Sequence, residues 1–187
     1  MVVDTSSDRR LIVLDRDGVI NRDSSNFVKS PDEWIPLDRS IDAIAALSQA
    51  GFAVAVASNQ SGIARGLFDT GALATMHTKM RNLVIDAGGR IDHIVFCPHG
   101  PDDGCDCRKP KPGLLNQIAA HFNTALNGTP VIGDSLRDLQ AAASVGARPI
   151  LVRTGNGGKT EESLPSDLST TEVYDDLAAA VLALLGS

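Results

Sequence analysis

A doubly wound α/β sandwich, a parallel sheet covered by helices on both faces, is the fold class this sequence predicts. Three observations predict it. Apolar runs of strand length alternate with amphipathic segments of helix length along the 187 residues. Those runs are continuous rather than alternating, as expected of strands buried on both faces. Glycines stand just past four of the helical segments, where a left-handed C-terminal cap favours them.

In order, LIVLD at 11–15 reads as the first strand, followed by a helical pattern at about 39–49. FAVAVAS at 52–58 precedes a helix at about 70–87, and IDHIVFC at 91–97 precedes one at about 112–126. TPVIGD at 129–134, a helix at 136–145, ARPILV at 147–152 and a last helix at about 174–185 complete the series. Gly51, Gly88, Gly128 and Gly146 are the expected caps. Two stretches are too long for simple connections, a substrate loop at about 16–38 and a loop within 97–111; such loops in a compact domain are usually functional. No linker rich in Pro, Gly or Ser divides the chain, so residues 1–187 read as a single domain without a large cap domain.

Composition narrows the function classes. Hydrophobic residues at 43% and charged residues at 21% describe a globular protein, neither disordered nor membrane-spanning. The apolar stretch Leu177 to Leu185 is far shorter than the roughly 20 residues of a membrane helix. The opening MVVDTSSDRR has no basic leader followed by an apolar run, so a cytoplasmic protein is expected. Lys plus Arg is 17 and Asp plus Glu is 23, a net charge of −6. That balance disfavours a broad nucleic-acid face, which needs many cations to displace counterions from phosphates. Neither a nucleic acid nor a membrane is an expected partner.

In doubly wound sheets, ligands bind beyond the carboxyl ends of the strands where strand order reverses. The first strand runs straight into Asp15-Arg16-Asp17-Gly18, and the fourth into Asp134-Ser135-Leu136-Arg137-Asp138. Parallel strands open both ends on one edge, so Asp15, Asp17 and Asp134 can converge. A pair of carboxylates 4 Å apart repel by roughly 4 kcal/mol at an effective dielectric of 20. Something positive must sit among them. Oxygen-only ligands select a hard cation, and Mg²⁺ suits a shallow site that also takes substrate phosphate. The second strand ends in Ser58-Asn59-Gln60-Ser61-Gly62, whose hydroxyl, amides and backbone N–H groups are neutral donors for phosphoryl oxygens.

All three cysteines lie between 97 and 107. Cys97-x-His99, then Cys105-x-Cys107 after five residues, offers three thiolates and one imidazole. That is the ligand set of a closed tetrahedral structural zinc site, with no open position for catalysis. Zn²⁺ ligation would stabilise a Gly-, Pro- and Asp-rich loop that has little else to fold around. Cys107 is followed at once by Arg108-Lys109-Pro110-Lys111-Pro112, a basic run on a stiff mount. Arg108 offers a planar fork for an anion, and Lys109 a compact cation beside the carboxylates.

Other patterns fall away. Gly158-Lys159-Thr160 ends like a phosphate-binding loop, but Arg153 stands where the leading glycine belongs. Ser61 lacks the glycine two residues earlier that a nucleophile elbow needs, since Asn59 is there. His77, His93 and His121 have no ligand-like spacing, and Trp34 reads as packing.

DRDGVIN, SNQSG, RKPKP and GDSLRD resemble, in order, the four motifs of the haloacid dehalogenase-like phosphatases across about residues 11–155. SNQSGIARG and the CPH…CDCRKPKPG loop resemble one subgroup that acts on a heptose bisphosphate, on the way to lipopolysaccharide, or on histidinol phosphate. The resemblance implies that Asp15 attacks phosphorus to form an aspartyl-phosphate and that Asp17 serves as acid and then base. It implies Mg²⁺ on Asp15, the Asp17 carbonyl and Asp134, and the phosphoryl group on Ser58 and Lys109. Arg108 would contact the rest of the substrate, with Asn21, Asn59 and Gln60 completing that edge. Ser135 stands where the family often has Lys, and Val19 where Thr is common. A phosphorylated sugar is the expected partner of a monomer; a non-catalytic zinc-stabilised binding module is the alternative from another class.

Overall fold

The computed structural model describes residues 10–186; the N-terminal segment read above as lacking a leader lies, up to residue 9, outside the described residues. Six strands, β1 (Leu11–Leu14), β2 (Ala53–Asn59), β3 (His93–Cys97), β4 (Pro130–Gly133), β5 (Arg148–Val152) and β6 (Glu172–Tyr174), form one sheet in the order β3-β2-β1-β4-β5-β6. Every pairing is parallel. Order therefore reverses between β1 and β4, which pair Val13 with Val131 and Leu14 with Ile132.

Alternation along β1 divides the core in two. Leu11 and Val13 face α3 (Gly113–Phe122) and α4 (Leu136–Ser144), packing with Leu114, Leu115, Ile118 and Ala141. Ile12 and Leu14 face α1 (Ser40–Gln49), α2 (Thr70–Asp86) and α6 (Leu177–Leu185), packing with Ile44, Leu47, Met76, Met80 and Val181. A one-residue slip would exchange these sets. No helix among the described residues is long and apolar enough to cross a membrane.

The five expected strands and five long helices are present, with three departures. A short α5 (Gly157–Glu162), a 3₁₀ turn at Ser166–Leu168 and the edge strand β6 occupy the region expected to hold only a connection and the start of a helix. Tyr174 belongs to β6, and the last helix begins after Asp176, whose carboxylate accepts the Ala179 N–H at 2.7 Å. Helix α3 stops at Phe122 because Asn123 adopts the left-handed conformation (φ 49°). Gly128 has positive φ, but in the turn before β4 rather than at the helix end.

The long first loop is tied to the body of the fold. Trp34 is fully buried in the core, and Lys79 on α2 donates to the carbonyls of Pro31 at 2.6 Å and Trp34 at 2.9 Å. Also on α2, His77 packs edge-on against Phe96 with its Nε2 buried and unpartnered. Burial, reinforced by the nearby Arg16 and Arg81 and opposed by Asp17, holds the His77 pKa down to about 4. The unfolded chain would bind that proton near pH 6.5, the folded one only near 4, so stability is lost as pH falls through that interval. At about 1.4 kcal/mol per unit, the loss attributable to this side chain is on the order of 3 kcal/mol. Urea unfolding of His77→Gln across pH 4 to 6.5 should show a shallower acid loss than the parent chain; identical slopes would contradict this reading.

Candidate active site and metal centres

A cavity of about 310 Å³ opens beyond the carboxyl ends of β1, β2 and β4 and is lined by Asp15, Asp17, Ser58, Lys109 and Asp134, among others. It sits where the sheet order reverses. Chain direction alone brings Asp15 and Asp134 there: the Asp15 N–H donates to the Ile132 carbonyl at 2.9 Å, so each carboxylate leaves its strand beside the other. Asp138, in the first turn of α4, joins them, and carboxylate oxygens of Asp15, Asp134 and Asp138 all lie within 4.8 Å of one another.

Lys109 is the buried cation in this cluster. Its ammonium donates to Asp15 Oδ1 at 2.9 Å and the Ala57 carbonyl at 2.8 Å and pairs with Asp138 Oδ1, so all three of its donors are used. Burial disfavours its charge, yet Asp138 and Asp15 outweigh that and raise its pKa. Even so, one ammonium does not neutralise three carboxylates. Burial, against the pull of Lys109 and with repulsion from Asp138 and Asp134, raises Asp15 well above the ordinary carboxylate range. Burial and Asp138 push Asp134 up to about 6, against hydrogen bonds from Asn156. A cluster of hard oxygen donors still short of positive charge fits a divalent cation such as Mg²⁺.

Asp17 is kept apart. Its carboxylate takes Arg16 Nε at 3.1 Å and Nη2 at 2.8 and 2.9 Å, Asn21 Nδ2 at 2.8 Å and Gln60 Nε2 at 2.8 Å. Burial would raise its pKa, but the Arg16 charge and these hydrogen bonds together lower it. Arg16 is itself buried, at 1% exposure. The two carboxylates of the first motif thus stand in opposite environments, one raised and one lowered.

Three residues expected at the substrate edge turn out to be engaged inside the protein. Asn21 is fully buried and does not line the cavity; it braces Asp17 and the Arg22 carbonyl. Asn59 lines the cavity but uses both ends of its amide on the Lys109 backbone, N–H and carbonyl, each at 3.1 Å. Gln60 links Arg16, Asp17 and Ser58, donating to Ser58 Oγ at 2.7 Å. Sequence reading supplied the residues but not the directions of their amides.

Lining residues missed as site groups include Arg16, Asp23, Arg65, Arg137, Asp138 and Asn156. Arg65 and Arg137 stand exposed at the rim with Arg108 half-buried between the cavity and the cysteine loop. Arg108 donates to the His99 carbonyl at 3.2 Å, and Arg65 lies over the Phe27 ring at 5.6 Å. No ion pair to a carboxylate holds any of these three guanidinium groups among the described residues. Burial and the repulsion of Arg137 and Arg65 lower the Arg108 pKa.

Cys97, His99, Cys105 and Cys107 come together beside this rim. The Sγ atoms are 3.1, 3.6 and 3.7 Å apart, and His99 Nδ1 is 3.6 Å from Cys97 Sγ and 3.3 Å from Cys107 Sγ. Ligands about 2.3 Å from a tetrahedral zinc stand about 3.7 Å apart, so the four donors fit a single Zn²⁺. No disulfide joins the cysteines. Without a cation, burial and the neighbouring thiols push the Cys97 thiol up to about 12, while hydrogen bonds from the Arg108 backbone and the other thiols bring Cys105 down to about 7 against its burial.

Sheet order, a carboxylate at each of the two central strand ends and the paired lysine define a haloacid dehalogenase-like protein. Comparisons agree. Residues 106–180 match the HAD-hydrolase-like family model, and residues 10–138 match the polynucleotide kinase 3 phosphatase family model. The D-glycero-beta-D-manno-heptose-1,7-bisphosphate 7-phosphatase of Pseudomonas aeruginosa is 56% identical over 178 residues, 95% of this chain and 98% of that protein. The crystal structure of D,D-heptose 1,7-bisphosphate phosphatase from B. bronchiseptica, complexed with magnesium and phosphate, superposes with a TM-score of 0.91 at 56% identity, covering 95% of this chain and 98% of that one. Its counterpart from Burkholderia thailandensis gives 0.75 at 47% identity, covering 96% and 100%. The chain belongs to the D-glycero-beta-D-manno-heptose-1,7-bisphosphate 7-phosphatase family of haloacid dehalogenase-like phosphatases.

Chain expressed with zinc in the medium should carry one equivalent by atomic absorption, and Cys105→Ser/Cys107→Ser none, with a lower melting temperature. Equal zinc content in both would remove the four-ligand site.

Proposed function

We propose that the chain is a magnesium-dependent phosphatase that removes the 7-phosphate of D-glycero-D-manno-heptose 1,7-bisphosphate through an aspartyl-phosphate on Asp15, in the supply of lipopolysaccharide precursors. The observation that carries this reading is one cavity with a carboxylate floor and an unpaired arginine rim at the reversal of strand order.

Asp15 and Asp134 through their carboxylates, and Asp17 through its carbonyl, would hold Mg²⁺, which supplies neutralising charge for phosphoryl oxygens. Asp15 is the nucleophile: an oxygen forms the bond to phosphorus as the bond to the sugar O7 breaks. Ser58 binds the transferring group, and Lys109 does so with the donor that Asp15 gives up as its oxygen bonds to phosphorus, while its bonds to Asp138 and the Ala57 carbonyl stay in place. The Asp17 carboxyl gives its proton to the leaving alkoxide, then takes one from the water that attacks the phosphoenzyme and regenerates Asp15. Arg16 keeps Asp17 ionised in the free protein; the arriving phosphoryl group, being anionic, favours the protonated form that the first step needs. Asn21 and Gln60 orient Asp17, and Asn59 fixes Lys109, rather than touching the sugar.

Arg65, Arg108 and Arg137 supply the anchor for the second phosphate, with Arg108 mounted on the zinc loop. This rim favours a bisphosphate over histidinol phosphate, whose leaving group carries a cationic amine that three guanidinium groups repel. The loops at 16–38 and 97–111 shape the pocket in place of a large cap domain. The proposed site needs no residue from a second copy, as a monomer would require, and a cytoplasmic location is consistent with the function of its relatives.

Two experiments test the reading. Asp15→Asn should form no acid-stable phosphoenzyme, whereas Asp17→Asn should lower kcat by about 10²-fold or more with little change in magnesium dependence; a phosphoenzyme mapped to another residue would overturn the mechanism. Arg65→Ala/Arg137→Ala should raise KM for heptose 1,7-bisphosphate about tenfold or more while leaving kcat/KM for histidinol phosphate unchanged or higher. Preference for histidinol phosphate by the parent chain would replace the sugar substrate with the alternative one.

A further inference from the structure

The segment RTGNGGKT at 153–160 is not a phosphate-binding loop, yet it packs against the first and fourth motifs and grips Asp134 by both side chain and main chain. Asn156 donates to Asp134 Oδ2 twice, from its backbone N–H at 2.8 Å and from Nδ2 at 3.2 Å. Thr160 Oγ1 donates to the Asp134 carbonyl at 3.0 Å, so the residue is held by side chain and main chain alike. Thr154 Oγ1 donates to the Gly18 carbonyl at 2.6 Å, which draws the segment against the first motif.

Two glycines make this approach possible. Gly18 (φ 82°) and Gly155 (φ 59°) flank the Asp134 carboxylate, and a Cβ on either would collide with Oδ2. Oδ2 is therefore walled in and twice hydrogen-bonded. Among the described residues Oδ1 has no such partner and is left for a cation.

Asn156 also reaches outward. Its Nδ2 donates to Asp23 Oδ2 at 3.0 Å, and Asp23 lies on the 16–38 loop and lines the same cavity. A primary amide has two N–H bonds, and here one goes to the carboxylate at the β4 end and one to the loop.

We propose that Asn156 is a positioning residue that couples the seating of the 16–38 loop to the magnesium site, by sharing its amide between Asp134 and Asp23. The inference rests on the assignment of Asp134 as a magnesium ligand under the proposed function. With both bonds made, Oδ1 faces the cation and the loop is drawn over the cavity; with either lost, the other carboxylate loses its orientation. Ligand orientation by such outer hydrogen bonds is worth about 10–100-fold in metal affinity at well-studied sites. Because binding linkage is reciprocal, whatever the loop contact contributes to magnesium affinity, magnesium returns to loop order.

Magnesium titration calorimetry on the zinc-loaded full chain tests this directly, without reference to turnover. Asn156 is exposed, with φ −90° and ψ −2°, so alanine fits its backbone; melting temperatures within a few degrees of the parent confirm folding. Asn156→Ala should weaken magnesium about tenfold and Asp23→Ala about threefold. The double variant should bind no more weakly than Asn156→Ala alone. That non-additivity separates a shared amide from the simple loss of a nearby negative charge, whose effect would add. Asn156→Ala affinity within twofold of the parent, or losses that multiply in the double variant, would overturn the coupling. Asp134→Ala should abolish magnesium binding; full affinity there would overturn the ligand assignment itself, and the coupling with it.

Discussion

Carboxylates brought together at the buried end of a sheet repel one another, and the placing of Lys109 against that repulsion is the constraint on which the site depends. Asp15, Asp134 and Asp138 converge because β1 and β4 are neighbours running the same way. At an effective dielectric of 20, each pair about 4 Å apart costs about 4 kcal/mol. An ammonium among them offsets part of that cost only if its geometry is fixed and every donor is satisfied. Lys109 meets both conditions, bonded to Asp15, Asp138 and the Ala57 carbonyl. The remaining deficit of positive charge is what makes the floor of the cavity a place for a dication.

Much of the surrounding structure can be understood as the means of holding that lysine. It comes from a loop with no regular structure, two residues after Cys107. The cysteine and histidine cluster fixes the base of the loop, and the Asn59 amide grips the Lys109 backbone from the neighbouring strand end. The same mount carries Arg108, so one metal knot sets both a cation on the floor and a cation on the rim. The cavity is polar in the electrostatic sense: negative where a metal and a nucleophile are needed, positive where a second anion would lie. The net charge of −6 conceals this division.

The features legible in the sequence are those written in contiguous residues. Continuous apolar runs marked the five long strands, and Cys97-x-His99 with Cys105-x-Cys107 marked the metal cluster. Asp15 and Asp134 were legible because strand direction is enough to make them neighbours. The three-residue β6 was not, since so short an edge strand leaves no periodicity. The early end of α3 depended on Asn123 adopting the left-handed conformation, which a glycine five residues later seemed better suited to do. Asp138 stands in plain view within GDSLRD, but its pairing with Lys109 spans distant parts of the chain. Asn156, in a segment with no phosphate-loop signature, shows the same limit. Asn21, Asn59 and Gln60 carry amides whose partners are a property of the folded chain, which turns them onto Asp17 and the Lys109 backbone.

The most direct measurement of the central claim is a crystal structure of the zinc-loaded chain grown with magnesium and beryllofluoride. The account predicts beryllium bonded to an Asp15 oxygen, magnesium touching Asp134 Oδ1 and the Asp17 carbonyl, and Lys109 still paired with Asp138. Beryllium on another carboxylate, or magnesium remote from the β1 and β4 ends, would contradict it.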